Sequence, residues 1–346
     1  MNSSRRVTRR DVARLAGVSD AVVTYTLTGK APVAEATAAR VRAAIAELGY
    51  RPNATAAALR TGTSRTIALL APVGSVRVFT NPFFTELASA VEDAARAREL
   101  DLLVVTSIPD ADALHARLRD LTARQIAGVL LLAGDRVERS SIDAYGVPWL
   151  QLNSSDETAA NGVGVDLEAG AAAVTRHLLE TGRRRIAFVG DVERDDSGRF
   201  EARRRGWEAA CLGAGLPAGP ALPAAYSREG GWAAGRVLAG LSPLPDAVFA
   251  ASDLIGIGVL RALRDAQLRV PDDVAVASVD GTWEGEYSAP PLTSLRQPLE
   301  ELATAALDRL VGGVTGSTLL EGTLVVRASS GGPASAAASA PEAPPR

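Results

Sequence analysis

The chain has 346 residues, 47% of them hydrophobic, enough for two or three domains with cores of their own. A single cysteine, Cys211, excludes an internal disulfide and fits a reducing compartment. No stretch of about 18 uncharged apolar residues occurs, and Met1–Arg6 leads into no apolar leader, so a soluble, cytoplasmic protein with no membrane partner is expected. Eleven Lys/Arg and four acids give residues 1–65 a charge of +7 against −3 for the whole chain, which leaves −10 on residues 66–346. A basic head on an acidic body is the charge pattern of a phosphate-binding module joined to something else.

In the head, Thr8 is placed to cap a first helix, with Asp11 at capping-box spacing. Val12, Ala13, Leu15 and Ala16 form its apolar stripe, and Gly17 allows a left-handed exit. Ser19 then caps a second helix that carries Val22, Val23 and Leu27 inward. Two helices around a short glycine turn fit a DNA-binding helix-turn-helix, although any small helical hairpin shares the pattern. On the second helix, Asp20, Ala21, Thr24 and Tyr25 fall on the exposed side. Asp20 suits a cytosine amino group or simply the helix N-terminus, and Ala21 and Tyr25 offer apolar surface to thymine methyls. A third helix is expected over Glu35–Leu48, and Gly49-Tyr50-Arg51-Pro52 ends it. Asn53 is placed to cap a short fourth helix, Ala54–Arg60, too short to be stable without a partner.

From Thr66 the pattern changes to alternating strands and helices. Strands are expected at Thr66–Pro72, Leu100–Val105, Gly128–Leu132 and Val147–Leu152, with helices at Phe83–Arg98 and Ala111–Arg124. The alternation restarts with helix Leu167–Glu180, strand Arg185–Gly190, helix Phe200–Gly213, strand Ala247–Ala250, helix Leu254–Asp265 and strand Val274–Asp280. Two such units imply two α/β lobes of doubly wound parallel sheet with a cleft between them, and ligands of such sheets bind at the carboxyl ends of strands. Trp149 and Trp207 read as core. Asp253 is balanced between a helix cap and a ligand contact. His115 and His177 have no metal-type spacing. Gly162-x-Gly164 and Gly256-x-Gly258 are incomplete phosphate fingerprints, and neither a P-loop nor a Gly-x-Ser-x-Gly elbow is present. Residues 331–346, rich in Ala, Pro and Ser, are expected to be a disordered tail without the heptads of a coiled coil.

Asp11-Val12-Ala13, Ala16-Gly17-Val18-Ser19, Leu48-Gly49-Tyr50-Arg51-Pro52-Asn53 and Ala56…Leu59 resemble the lactose-repressor (LacI/GalR) family of bacterial transcription regulators. The resemblance continues through Asn81-Pro82-Phe83-Phe84, Gly182–Ala187, Ala251-Ser252-Asp253, Asp280-Gly281 and Pro291–Gln297. It implies a helix-turn-helix head at 1–51, a hinge helix and linker at 52–65, and an effector domain at 66–330 that is similar to periplasmic sugar-binding proteins. Lobe 1 would comprise about 66–164 and 295–325, and lobe 2 about 165–294. The DNA contacts implied are Thr8, Ser19, Asp20, Ala21, Thr24, Tyr25 and Thr28 of the head with Asn53, Ala56 and Leu59 of the hinge, Leu59 wedging into the minor groove. The cleft residues implied are Phe84, Asn153, Arg203, Trp232, Asp253, Asp280 and Trp283, a set that suits a polyhydroxylated or heterocyclic small molecule. The chain departs from the family pattern where Tyr25 and Thr28 stand for a frequent arginine and asparagine, Arg183 for histidine and Ser252 for asparagine. The expected function is a homodimeric repressor that binds an approximately palindromic operator on double-stranded DNA and responds to a small molecule, in all a sugar-controlled regulator and not an enzyme, with neither metal nor cofactor. The alternative is a sugar-binding protein or enzyme on a doubly wound fold.

Overall fold

A computed structural model describes residues 7–28, 31–50, 65–71, 79–106, 111–132, 142–153, 161–194 and 200–331. The chain divides into two units, Met1–Ser64 and Arg65–Arg346. The expected hinge helix, with Asn53, Ala56 and Leu59, and all of the expected tail after Gly331 lie outside the described residues.

The first unit contains α1 (Arg9–Ala16), α2 (Asp20–Thr28) and α3 (Glu35–Leu48). The Thr8 backbone N–H donates to Asp11 Oδ2 at 2.9 Å at the start of α1. Gly17, at φ 64°, ends the helix in the left-handed region, and Val18 N–H donates back to the Ala13 carbonyl at 3.0 Å. The core is small: Val12, Ala13, Ala16, Val23, Val41 and Ala44, with Val18, Ile45, Leu48 and Tyr50 packed around it. Two expected core positions are exposed instead, Leu15 at 46% and Leu27 at 39%. At 100° per residue, Val12, Ala13 and Ala16 set the centre of the α1 stripe and leave Leu15 on its border.

The second unit is built from two six-stranded sheets. Lobe 1 contains β1 (Thr66–Leu70), α4 (Pro82–Arg96), β2 (Asp101–Val105), α5 (Ala111–Ala123), β3 (Gly128–Leu131), β4 (Trp149–Leu152) and β5 (Asn161–Val165). Alternation decides its layers. Ile67 and Leu69 of β1 pack with Phe83, Leu87 and Val91 of α4, while Ala68 and Leu70 pack with Leu114, Leu118 and Leu121 of α5.

Lobe 2 contains α6 (Leu167–Glu180), β6 (Ile186–Gly190), α7 (Ala202–Gly213), β7 (Ala221–Pro223), α8 (Arg228–Ala239), β8 (Ala247–Ala250), α9 (Asp253–Asp265), β9 (Ala275–Asp280), α10 (Trp283–Glu286) and β10 (Thr293–Arg296). The chain then runs through α11 (Leu299–Gly312), β11 (Gly316–Leu320) and β12 (Thr323–Val325). On one face α6 packs against α7, close enough that a Cβ at Gly206 would sit 2.1 Å from the Glu168 carbonyl oxygen. On the other face α8 packs against α9.

The two sheets share one strand order, β2-β1-β3-β4-β5-β11 and β7-β6-β8-β9-β10-β12. They differ at the last strand. β11 runs parallel to β5, whereas β12 runs antiparallel to β10. The expected lobe boundary is corrected here. The segment 295–325 does not belong whole to lobe 1, because β10 and β12 are hydrogen-bonded into the lobe 2 sheet and only α11 and β11 lie in lobe 1. The chain therefore passes between lobes three times, after β5, after β10 and after β11. Gly162 and Gly164 belong to β5 rather than to a phosphate loop, and Gly256 and Gly258 lie inside α9.

Candidate ligand cleft and nucleic-acid interface

The carboxyl ends of the lobe 2 strands carry most of the polar side chains of interest. Asp280 ends β9 at φ 121°, a backbone conformation that L residues rarely adopt, and Gly281 follows at φ 70°. The geometry is held from several sides. Gln297 Nε2 donates to Asp280 Oδ1 at 3.0 Å, Asp253 N–H donates to Oδ2 at 3.4 Å, and Gly281 N–H donates to Ser294 Oγ at 2.9 Å. Burial, and then the nearby Asp253 carboxylate, push the Asp280 carboxyl up to about 8, against the pull of Arg203.

Arg203 stands in the first turn of α7 with its side chain 14% exposed. Glu201, the residue that caps this helix, holds it twice. One carboxylate oxygen accepts from Arg203 N–H at 3.0 Å and the other from Nη1 at 2.5 Å. Burial works against the guanidinium charge, but Glu201, Tyr226 and Asp280 outweigh it and hold its pKa above the ordinary arginine value. Tyr226, after β7, lies with its ring centroid 5.8 Å from the Arg203 Cζ. Its hydroxyl pKa is raised, first by burial. Beside it a recess of about 430 Å³ is lined by Gly190, Asp191, Pro223 and Tyr226, at the ends of β6 and β7.

Lobe 1 contributes less. Phe84 and Glu86 lie on α4, and Trp283 N–H at the start of α10 donates to Glu86 Oε1 at 3.2 Å, which joins the two lobes. Partial burial raises the Glu86 pKa, with the Trp283 N–H acting in the other direction. Asn153 follows β4 at φ 58°, and its Oδ1 is buried with no hydrogen-bond partner among the described residues.

In the head, Ala21 and Tyr25 lie one turn apart on the exposed side of α2, with Tyr25 41% exposed. Asp20 forms an ion pair with Arg9 of α1, so its carboxylate bridges the two helices. Thr24 Oγ1 donates to the Asp20 carbonyl at 3.0 Å, and Ser19 Oγ accepts from Val22 N–H at 3.4 Å as the cap of α2. Thr8 is exposed and its hydroxyl donates to Asp11 at 2.6 Å.

Residues 8–53 match the model of bacterial regulatory proteins of the lacI family, and residues 175–330 match a periplasmic binding protein-like domain. The HTH-type transcriptional regulator CelR of Thermobifida fusca is 36% identical over 95% of this chain and 100% of its own length. The chain belongs to the LacI family. The ribose operon repressor of Escherichia coli K12 is 32% identical over 90% of this chain and 94% of that protein. Among solved structures, the lac repressor dimer bound to operator and the anti-inducer ONPF is 26% identical, with a TM-score of 0.83 over 94% of this chain and 99% of that one. The CelR–cellobiose complex is 32% identical, with a TM-score of 0.68 over 94% and 100%. A LacI-family member is a helix-turn-helix transcriptional regulator, and its two-lobed domain is the part that answers to a small molecule.

Phe84 stands in the first turn of α4, Asn153 directly after β4, Arg203 in the first turn of α7, Asp280 at the end of β9 and Trp283 at the start of α10. Trp232 stands at neither a strand end nor a helix start. It is half-buried on α8, where its Nε1 donates to Asp265 at the C-terminal end of α9 and the Arg236 guanidinium lies 5.0 Å from its ring. Asp253 is 1% exposed, and its carboxylate is fully occupied by protein. Oδ1 accepts from Ser278 and Ser294, both at 2.6 Å, and Oδ2 accepts from the Thr282 backbone N–H and hydroxyl at 2.7 and 2.8 Å. The cap of α9 is Ser252, whose Oγ accepts from Ile255 N–H at 3.3 Å. Trp207 is core and donates to the Ile186 carbonyl at 3.2 Å, whereas Trp149 is half-buried with its Nε1 on Asp143.

Sequence reasoning passed over Glu201, Tyr226, Gln297 and Glu86. Glu201 stands two residues before Arg203, a spacing that signals an ion pair only once the helix start is known. Tyr226 follows a three-residue strand with no apolar run to betray it.

Proposed function

We propose that this LacI-family regulator is a homodimeric repressor of a palindromic operator, and that a sugar in the cleft changes its grip on DNA. The observation that carries the reading is the grouping of Arg203, Tyr226 and Asp280 in lobe 2, with the Arg203 Cζ 5.8 Å from the Tyr226 ring and its charge acting on the Asp280 carboxyl. Guanidinium, carboxyl and phenol groups so placed hydrogen-bond sugar hydroxyls, and aromatic rings cover the apolar faces of a sugar ring. A bound ring touching both lobes favours one lobe arrangement over another, which is the differential affinity that allosteric control requires. The similar CelR–cellobiose complex and the ribose operon repressor support a sugar as the class of effector. In the head, Ser19 before the second helix and Ala21, Tyr25 and Thr28 of that helix meet the major groove, and the hinge residues Asn53, Ala56 and Leu59 complete the grip. Asp20, paired with Arg9, positions α1 against α2 rather than reading cytosine.

The test is selection of operators from random duplexes by the full chain at two salt concentrations, followed by titration of the selected operator complex with a panel of sugars. A palindromic motif with a steep salt slope, and a sugar that shifts operator affinity, are the expected results. A motif without two-fold symmetry would sink the dimer. A panel in which no sugar binds would sink the effector class.

A further inference from the structure

The charges at the cleft are paired in advance. Glu201 holds Arg203 through two hydrogen bonds. Arg228 forms an ion pair with Glu284. A guanidinium countered in this way keeps N–H donors but offers no net positive charge to a ligand. Three buried polar atoms next to strand ends and a helix start also lack a partner among the described residues: Gln297 Oε1 just after β10, Asn153 Oδ1 just after β4 and Arg203 Nε in the first turn of α7. One is a donor and two are acceptors. A hydroxyl group, which both donates and accepts, satisfies such a mixture, whereas a phosphate or carboxylate oxygen only accepts and meets two amide oxygens with nothing to give them.

We infer that the cleft selects an uncharged, hydroxyl-bearing ligand and turns away anionic ones such as sugar phosphates, and that Glu201 is the residue that sets this preference by occupying Arg203. The inference rests on the effector reading above and narrows it. Glu201 acts through Arg203 and is a positioning residue. Removing its charge leaves the Asp280 carboxyl, which burial keeps largely protonated, as the remaining acid acting on the buried guanidinium, which then attracts an anion because charge leaving water needs a counter-charge.

The experiment is calorimetric titration of the full chain, as wild type, Glu201→Gln and Glu201→Asp, with neutral pentoses, hexoses and disaccharides and with the phosphate ester and uronic acid of each sugar that binds. Wild type should favour the neutral sugar over its anionic form by at least about tenfold, the effect of one charged hydrogen bond. Glu201→Gln should reduce that ratio by about tenfold or more, with the gained anion binding weakened by salt, and Glu201→Asp should keep the wild-type preference. A purely structural role would lower affinity for both forms alike and leave the ratio where it was. The inference is overturned if wild type prefers the phosphate, or if Glu201→Gln leaves the ratio unmoved. Should no sugar bind in either form, the effector reading fails and the inference goes with it, an outcome distinct from the first two.

Discussion

Lobe 1 and lobe 2 share a strand order and a doubly wound layering, yet they divide the chemistry unequally. Lobe 2 ends its strands with Asp280, Tyr226 and the Ser278–Ser294–Asp253–Thr282 network, and starts α7 with Glu201 and Arg203. Lobe 1 offers Phe84, Glu86 and Asn153. The same topology thus carries a cluster of mutually paired polar side chains in one copy and few such groups in the other. A shared fold sets where a site can stand, and local substitutions at strand ends decide which copy holds it. The one topological difference, β12 antiparallel at the edge of lobe 2, accompanies the last passage of the chain between lobes and does not touch this chemistry.

The comparison breaks most sharply at Asp253. Asp253→Ala removes the acceptor for three hydroxyls and one backbone N–H inside lobe 2, so unfolding stability should fall by about 3 kcal/mol. A denaturant melt checks this, and a wild-type midpoint would show that the network is not structural. Next is Arg203→Ala, which should weaken effector binding about 100-fold while operator affinity without effector stays as in wild type. Calorimetry and a gel-shift titration separate the two, and normal effector release would remove Arg203 from the site.

The buried Asp280 carboxyl sharpens the contrast through pH. Its folded pKa of about 8 lies above its ordinary value of 3.8. The stability it contributes is therefore complete below pH 3.8 and is lost as pH rises through 8. Asp280→Asn should flatten the fall in melting temperature between pH 4 and 8, and an unchanged slope would assign that fall to other groups. The smallest effect is expected in lobe 1. Glu86→Ala removes one acceptor for the Trp283 N–H and should weaken effector binding about threefold, with stability little changed. A loss as large as that of Arg203→Ala would mean the lobes share the site equally.

Much of this molecule was legible in the sequence. Periodicity and caps located α3 at Glu35–Leu48, α6 at Leu167–Glu180 and β8 at Ala247–Ala250, because buried apolar positions at fixed spacing record which side of an element faces a core. The segment over α8, α11 and β10 to β12 escaped that reading. These elements are short, glycine-bearing or pass between lobes, and their burial depends on partners far away in sequence. The charge division between head and body was visible at once, since it depends on composition alone.

Tertiary structure alone decided the site. Arg203 and Asp280 are 77 positions apart in the chain, and only the packing of lobe 2 brings the start of α7 and the end of β9 close enough for the two charges to act on each other. Trp232 and Asp253 had the chemistry of ligand contacts, but the α8–α9 packing drew one to the C-terminal end of α9, and three hydroxyls from β9, β10 and the loop after β9 enclosed the other. Spacing along a chain fixes which residues share a face of one element. Which groups from different elements meet, and which of their lone pairs are already taken, is fixed by packing.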